Sequence, residues 1–417
     1  MKTPSKKLNP AFTALAAAAV FLASPSASQA AESLSLIPES AEALGMVGGR
    51  FANLSDATTA RVAPANMIHT TSPTVQLNTG FTHNDIQFHS ISAERLTHQN
   101  PWGYPFSLYA LVPIVPHQLV FGIGVSTPYG FEASYDPSSS LRYEVPSQAR
   151  LRTWSVSPSA AWRVHEKVTL GLGFDIMQGD LLIHQIIPLG GSDGRLDFDA
   201  EGWGLSGFGS ILWQPTPHQR LSLVGRLPLR LDMSGNFVAK GVPPGLGAGL
   251  ANRSEFGTEM TFPASLAIGY GIDLTNRLTL GFDFKWTANQ SHDDIPLDTS
   301  DSNSLLPKSS IPLNWRNSID LGTGATYQLS EHWLLRAGYL FSENSMPDRS
   351  YTPAIPGYDR HIFSLGVGWK GQRDRIDLAY GFVNQPDRSV TNADVPNLNG
   401  RYQNQRHVVM LSVSHKF

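Results

Sequence analysis

Arg406-His407-Val408-Val409-Met410-Leu411-Ser412-Val413-Ser414-His415-Lys416-Phe417 is the stretch whose reading decides the fold. Val409, Leu411, Val413 and Phe417 fall on one face of an extended strand, with His407 and His415 towards the ends of that face. Ser412, Ser414 and Lys416 fall on the other. A period of two with apolar residues on one side is a half-buried β-strand. The pattern recurs along the chain. Val168, Leu170, Leu172, Phe174 and Ile176 alternate with Thr169, Gly171, Gly173 and Asp175. Leu278, Leu280, Phe282, Phe284 and Trp286 alternate with Thr279, Gly281, Asp283 and Lys285. The polar faces carry Gly, Ser, Thr and charges such as Arg336 and Asp377. Strand by strand, this fits a soluble sandwich as well as a membrane barrel.

Connections separate the two. Short polar turns near 116–118, 164–167, 214–219, 274–277, 329–332 and 370–374 alternate with long stretches at 84–104, 130–148, 187–197, 238–257, 288–312, 345–360 and 384–405. Tight turns at one end and extended loops at the other are the asymmetry of outer-membrane barrels. The runs between them predict fourteen strands, at 73–83, 105–115, 118–128, 149–163, 167–180, 198–213, 219–236, 259–273, 277–287, 314–328, 332–343, 361–370, 375–384 and 406–417. The final strand, with its terminal Phe417, resembles the closing strand of such barrels, where the last aromatic residue is an assembly signal read by the barrel-assembly machinery.

The other end agrees. Lys2, Lys6 and Lys7 precede a short apolar run at 11–23, and small residues follow at Ser28-Gln29-Ala30. This is the layout of a secretory leader cleaved after Ala30. The run is too short to cross a bilayer as a helix, and no later stretch is long enough. The expected organisation is a leader at 1–30, a hatch at 31–68 and an all-β barrel at 69–417. The hatch is expected because 31–68 is rich in Ala and Gly, contains no long strand, and is more easily placed inside a barrel than beside it. The chain has no cysteine, so a closed hydrogen-bonded ring rather than disulfides must hold the exported protein. With 31 Lys+Arg against 34 Asp+Glu, the net charge of −3 argues against nucleic acid as a partner.

At this point the chain resembles the FadL-type outer-membrane transporters of long-chain fatty acids and other hydrophobic compounds. Ala43-Leu44-Gly45 with Gly48-Gly49, then Asp56-Ala57-Thr58 and Pro64-Ala65, is similar to the family's hatch motifs. Phe121 to Gly130, containing Thr127-Pro128-Tyr129-Gly130, is similar to its third-strand signature. Asn314-Trp315-Arg316-Asn317 resembles the motif that opens its tenth strand, and Pro356-Gly357-Tyr358-Asp359-Arg360 the element before its twelfth. The resemblance implies a monomeric, fourteen-stranded barrel in the outer membrane, amid its lipid and lipopolysaccharide, with a hatch in the lumen. Hydrophobic small molecules, fatty acids or hydrocarbons and aromatics, would enter from the outer loops and leave sideways at a kink in strand three. The chain departs from the family at Ala63-Pro64-Ala65, which stands where Asn-Pro-Ala is expected.

Candidate site residues follow. Pro128, Tyr129 and Gly130 are the expected lateral gate, because proline cannot donate to a ladder and glycine permits unusual dihedrals. Gly45, Gly48, Asp56, Pro64 and Ala65 mark the hatch. Arg316 with Trp315 is the candidate head-group anchor, and His184 is the only cation of the stretch 179–186. Leu246 and Leu250, in a Gly-rich loop, are candidate substrate collectors. Arg226, Arg230 and Asp232 are expected to face the lumen as an ion-pair network. No catalytic set, metal-binding spacing or cofactor motif is found: H-E-x-x-H, G-x-S-x-G and Cys pairs are absent. The alternative function is a general diffusion porin, which would need an open, water-filled lumen.

Overall fold

The computed structural model describes residues 38–91, 94–189, 191–241, 252–291, 294–299, 309–355 and 357–417. The expected leader, residues 31–37 of the expected hatch, and Leu246, Leu250 and Pro356 lie outside the described residues.

Fourteen strands close an antiparallel barrel. They are β1 (Thr74–Ser90), β2 (Phe106–Val115), β3 in two pieces (Leu119–Ser126 and Gly130–Ser134), β4 (Gln148–His165), β5 (Val168–Pro188) and β6 (Asp193–Thr216). Then come β7 in two pieces (Gln219–Arg226 and Leu229–Lys240), β8 in two pieces (Arg253–Phe262 and Ser265–Asp273) and β9 (Leu278–Thr287). The ring ends with β10 (Ser318–Gln328), β11 (Trp333–Ser342), β12 (Arg360–Lys370), β13 (Asp374–Val390) and β14 (Gly400–Lys416). β14 closes on β1 in unbroken register from Thr74↔Lys416 to Ser90↔Gly400. Closure of the ring pairs the first strand with the last and removes the terminal edges, the condition for strands to cross a bilayer.

The period-two faces sort as the medium demands. Leu172 is 70% exposed and Phe174 57%, whereas Thr169, Gly171 and Asp175 point inward and are buried. Trp162, Trp213, Trp333 and Tyr327 are exposed at the short-turn end of this apolar belt, and Trp102, Trp203 and Trp286 at its other end. Aromatic rings at both rims are the girdles expected at the two membrane–water interfaces. Among the described residues no helix is long and apolar enough to cross a membrane.

Inside the ring sit α1 (Ala41–Gly45), α2 (Thr59–Val62) and a 3-10 turn (Pro64–His69). α1 begins at Ser40, whose hydroxyl accepts from Ala43 N–H at 3.1 Å, so a five-residue helix has its first turn capped.

Several boundaries differ from expectation. Strands extend beyond the predicted runs at the long-loop end: β1 reaches Ser90, β5 reaches Pro188, β6 starts at Asp193, and β13 and β14 continue to Val390 and from Gly400. In β1, β13 and β14 the outward residues there, such as Asp85, Gln87, Asp387, Arg401 and Gln403, are polar, so hydrophobic alternation fades while hydrogen bonding continues. β10 starts at Ser318, leaving Trp315 and Arg316 before the strand rather than in it.

Strand seven contains the largest correction. Arg226 faces the lumen, but Arg230 and Asp232 face outward, 62% and 71% exposed at their side chains. Leu227 and Pro228 form an insertion between the two pieces of β7, and both are exposed. Such a bulge shifts the pleat by one residue and turns every later side chain to the other face. β8 makes the matching shift at Pro263-Ala264, so the pairs Arg226↔Ser265 and Leu229↔Phe262 stay aligned across it.

Candidate functional site

The N-terminal segment is held by wall contacts on all sides of the lumen. Ala41 N–H donates to Ser412 Oγ on β14 at 2.8 Å, and Ala65 N–H to Ser210 Oγ on β6 at 2.8 Å. Arg50 and Phe51 N–H groups donate to the Asp283 carboxylate on β9, at 2.7 and 3.3 Å. Gly48 and Gly49 lie against Gly281, Gly322 and Gly324 on β9 and β10, backbone on backbone. Glycines on both surfaces permit that approach, since a Cβ at Gly48 would collide with the Tyr339 carbonyl and the Thr323 N–H.

Two buried ion-pair clusters complete the attachment. In the first, Asp175 on β5 receives Arg61 Nε from α2 at 3.0 Å and Arg226 Nη1 from β7 at 2.9 Å. Ser157 Oγ adds a bond at 2.6 Å, and Glu39 pairs with Arg61 from the other side. Burial opposes the Arg61 charge, but Asp175 and Glu39 outweigh it and hold its pKa above the ordinary value. In the second, Glu42 of α1 meets Arg375 on β13 at 2.8 Å, while Arg336 on β11 meets Asp377 at 2.8 Å. Burial alone would raise Glu42, and Arg375 and Arg336 bring it below the usual carboxylate range. Asp56 takes the opposite shift: burial and the Glu42 charge push it up, though Thr58 and Gln76 donate to it.

Above this floor lies a cavity of about 100 Å3. Its wall includes Pro128 and Tyr129 from the break in β3, Phe262 and Pro263 from the break in β8, Lys285 of β9 and Trp315. Tyr129 stacks on Phe262 at a centroid distance of 4.2 Å, so the two breaks meet across the lumen. Arg50 of the hatch also lines the cavity. Its guanidinium lies over the Phe51 ring at 5.0 Å, its buried Nε has no hydrogen-bond partner, and it makes no ion pair among the described residues.

The break in β3 opens the wall beside this cavity. β3 leaves β2 after Ser126↔Ser107, and its second piece pairs with β4 from Gly130↔Arg152 to Ser134↔Gln148. Thr127 and Pro128 are out of the ladder, and Tyr129 makes only an isolated bridge. Proline has no N–H to offer it.

The expected residues are therefore divided. Pro128, Tyr129 and Trp315 border one cavity, and Gly130 is buried where the second piece of β3 begins. Arg316 is exposed and gives its N–H to Ser345 O at 2.8 Å, away from the cavity lining. His184 lies 3.8 Å from Asp197, which also binds Arg195 and Lys240 at 2.6 Å each, in a charged cluster on the outer part of β5–β7. Gly45, Gly48, Asp56, Pro64 and Ala65 all lie in the lumen segment and are packed on the wall or on one another. Reading the sequence did not single out Arg50, Arg61 or Phe262. The alternation places Asp175 on the polar face of its strand and assigns it no partner.

An even-stranded barrel with aromatic girdles and an occupied lumen defines an outer-membrane transport channel. Residues 20–417 match the model of the outer membrane protein transport family (OMPP1/FadL/TodX), and the chain belongs to that family. It is an outer-membrane protein and a channel rather than an enzyme. An outer membrane protein of Neisseria meningitidis serogroup B is 22% identical over 91% of this chain and 93% of its own. The long-chain fatty acid transport protein of Escherichia coli K12 is 21% identical over 68% of this chain and 71% of its own. A crystal structure of a Pseudomonas aeruginosa FadL homologue superposes with a TM-score of 0.82 at 19% identity, covering 92% of this chain and 99% of that one.

Proposed function

We propose that the protein carries hydrophobic molecules bearing a carboxylate into the cell envelope, holding the head group on Arg50 and releasing the molecule sideways into lipid at the break in β3. The observation that carries this reading is the half-buried Arg50 guanidinium on the cavity wall, without an ion pair among the described residues. A carboxylate supplies the missing acceptor, and the apolar surface of Phe51, Val62, Val224 and Phe262 takes the body of the molecule. Each Å2 of apolar surface kept from water is worth ~25 cal/mol, which favours passage from cavity to bilayer over passage through a wet channel. Residues 38–68 act as the hatch that keeps that channel shut. This opposes the alternative of a general diffusion pore, whose mark would be steady ion conductance.

Arg50→Gln is expected to weaken laurate binding about tenfold or more, the size of one charge-assisted hydrogen bond, while leaving dodecanol binding nearly unchanged. Titration calorimetry of the purified protein in detergent micelles measures both. Equal losses for the two ligands would remove Arg50 as the head-group anchor.

The exit route is tested separately. Pro128→Val with Gly130→Val restores donors and β-propensity to strand three and should seal the wall. Uptake of laurate into cells should fall severalfold with no rise in ion conductance. Uptake at the wild-type rate from a barrel with a continuous third strand would eliminate the side exit.

A further inference from the structure

We infer that the lumen wall holds a second anion site, built on Arg406 and separate from the central cavity. Arg406 projects inward from β14 and is 4% exposed. Its Nε donates to Asn84 Oδ1 on β1. Among the described residues it makes no ion pair, and the charged side chain whose field acts on it is another cation, Arg360 of β12. Arg360 donates from Nη2 to Ser342 Oγ at 2.7 Å. The contrast with the other buried cations of the lumen is sharp: Arg61 has Asp175 at 3.0 Å and Arg336 has Asp377 at 2.8 Å. A guanidinium as buried as that of Arg406, without a carboxylate among the described residues, is strongly unfavourable unless an anion joins it.

The surroundings define what that anion is. Arg406 stands opposite Asn84 on one side and Val383 on the other. Gln385 and Asn404 pair one step above it and leave Oε1 and Oδ1 buried without partners. With either amide reversed, an N–H2 group faces the same space. Apolar clusters bound this polar layer on both sides. Leu44, Val47 and Ile362 belong to the one towards the hatch, and Phe88, Tyr351 and Tyr402 to the one towards the outer loops. A cationic layer between apolar ones suits a carboxylate with an apolar body, bound on the β12–β14 and β1 side of the ring. The central cavity is lined from β3 and β7–β9, so the two sites use different stretches of wall. A short free carboxylate presents the same head group, and the experiment separates the two sources.

The test is laurate titration of the full chain in detergent micelles, with acetate and dodecanol as competitors. Wild-type protein should bind two equivalents. Arg406→Gln, which keeps a donor for Asn84, should lose one of them, and Arg360→Gln should weaken the same one about tenfold. Arg50→Gln should leave that equivalent intact, so loss at Arg406 with no effect at Arg50 sustains this site even if the central reading fails. Should Arg406→Gln not fold, Arg360→Gln decides. Displacement by acetate assigns recognition to the carboxylate alone, while displacement by laurate but not acetate assigns it to the amphiphile; either sustains the site. Displacement by dodecanol as effective as by laurate overturns it. So does an Arg406→Met protein that binds both equivalents and melts higher than wild type, the behaviour of a buried charge with no ligand.

Discussion

Asp175→Asn should destabilise the protein by about 3–5 kcal/mol, because it leaves two buried guanidinium groups without their shared carboxylate. Asp175 is one of the points where hatch and wall are joined: Arg61 comes from the hatch helix and Arg226 from β7, with Ser155 and Ser157 donating from β4. Asparagine keeps the shape and one acceptor, so the loss reports the charge rather than a cavity. Urea unfolding in detergent micelles measures it. Two companions sharpen the result. Ser157→Ala removes one of the donors and should cost about 1 kcal/mol. Asp232→Asn breaks a pair that is open to water and should leave the midpoint unchanged within scatter. An Asp175→Asn protein no weaker than Asp232→Asn would mean that the hatch does not depend on this ion pair.

Gly48→Val is expected to unseat the hatch and turn a nearly non-conducting barrel into a leaky one. The added side chain has backbone in front of it, the Tyr339 carbonyl and the Thr323 N–H, and neither belongs to a flexible group that could swing away. The barrel ladders β9–β10 and β10–β11 run unbroken at this level, so the wall does not yield and the hatch must. Conductance across planar bilayers should rise from near closure to frequent open events, while the heat-modifiable folded band persists. Gly225→Ala is the control, since a Cβ there meets nothing within 4 Å. A Gly48→Val channel as silent as wild type would show that the lumen is sealed by something other than this contact.

The sequence alone determined the ring. Alternation of apolar and small or polar residues, tight turns between every second pair of runs, and the closing strand to Phe417 are local properties. A lipid-facing strand must show them whatever its neighbours do. The fourteen strands were legible for that reason, whereas the hatch is expected from the composition of 31–68 and the kink at Pro128 from the family resemblance. Parity is also local, but only until it is interrupted. Arg226, Arg230 and Asp232 read as one inward row, and the two-residue insertion at Leu227-Pro228 sent the last two outward. Nothing in strand seven by itself says that a matching insertion at Pro263-Ala264 will be tolerated beside it, because a bulge is held by pairing with another strand. How the site's residues come together was decided in three dimensions. Arg50, Tyr129, Phe262 and Trp315 come from four separate parts of the chain and converge on one cavity, while Arg316, next to Trp315 in sequence, faces away. Likewise, Arg406 is an ordinary inward residue of a regular strand. That no carboxylate pairs with it among the described residues is a fact about β12, β13 and β1, and distance in space rather than order in the chain sets which charges meet.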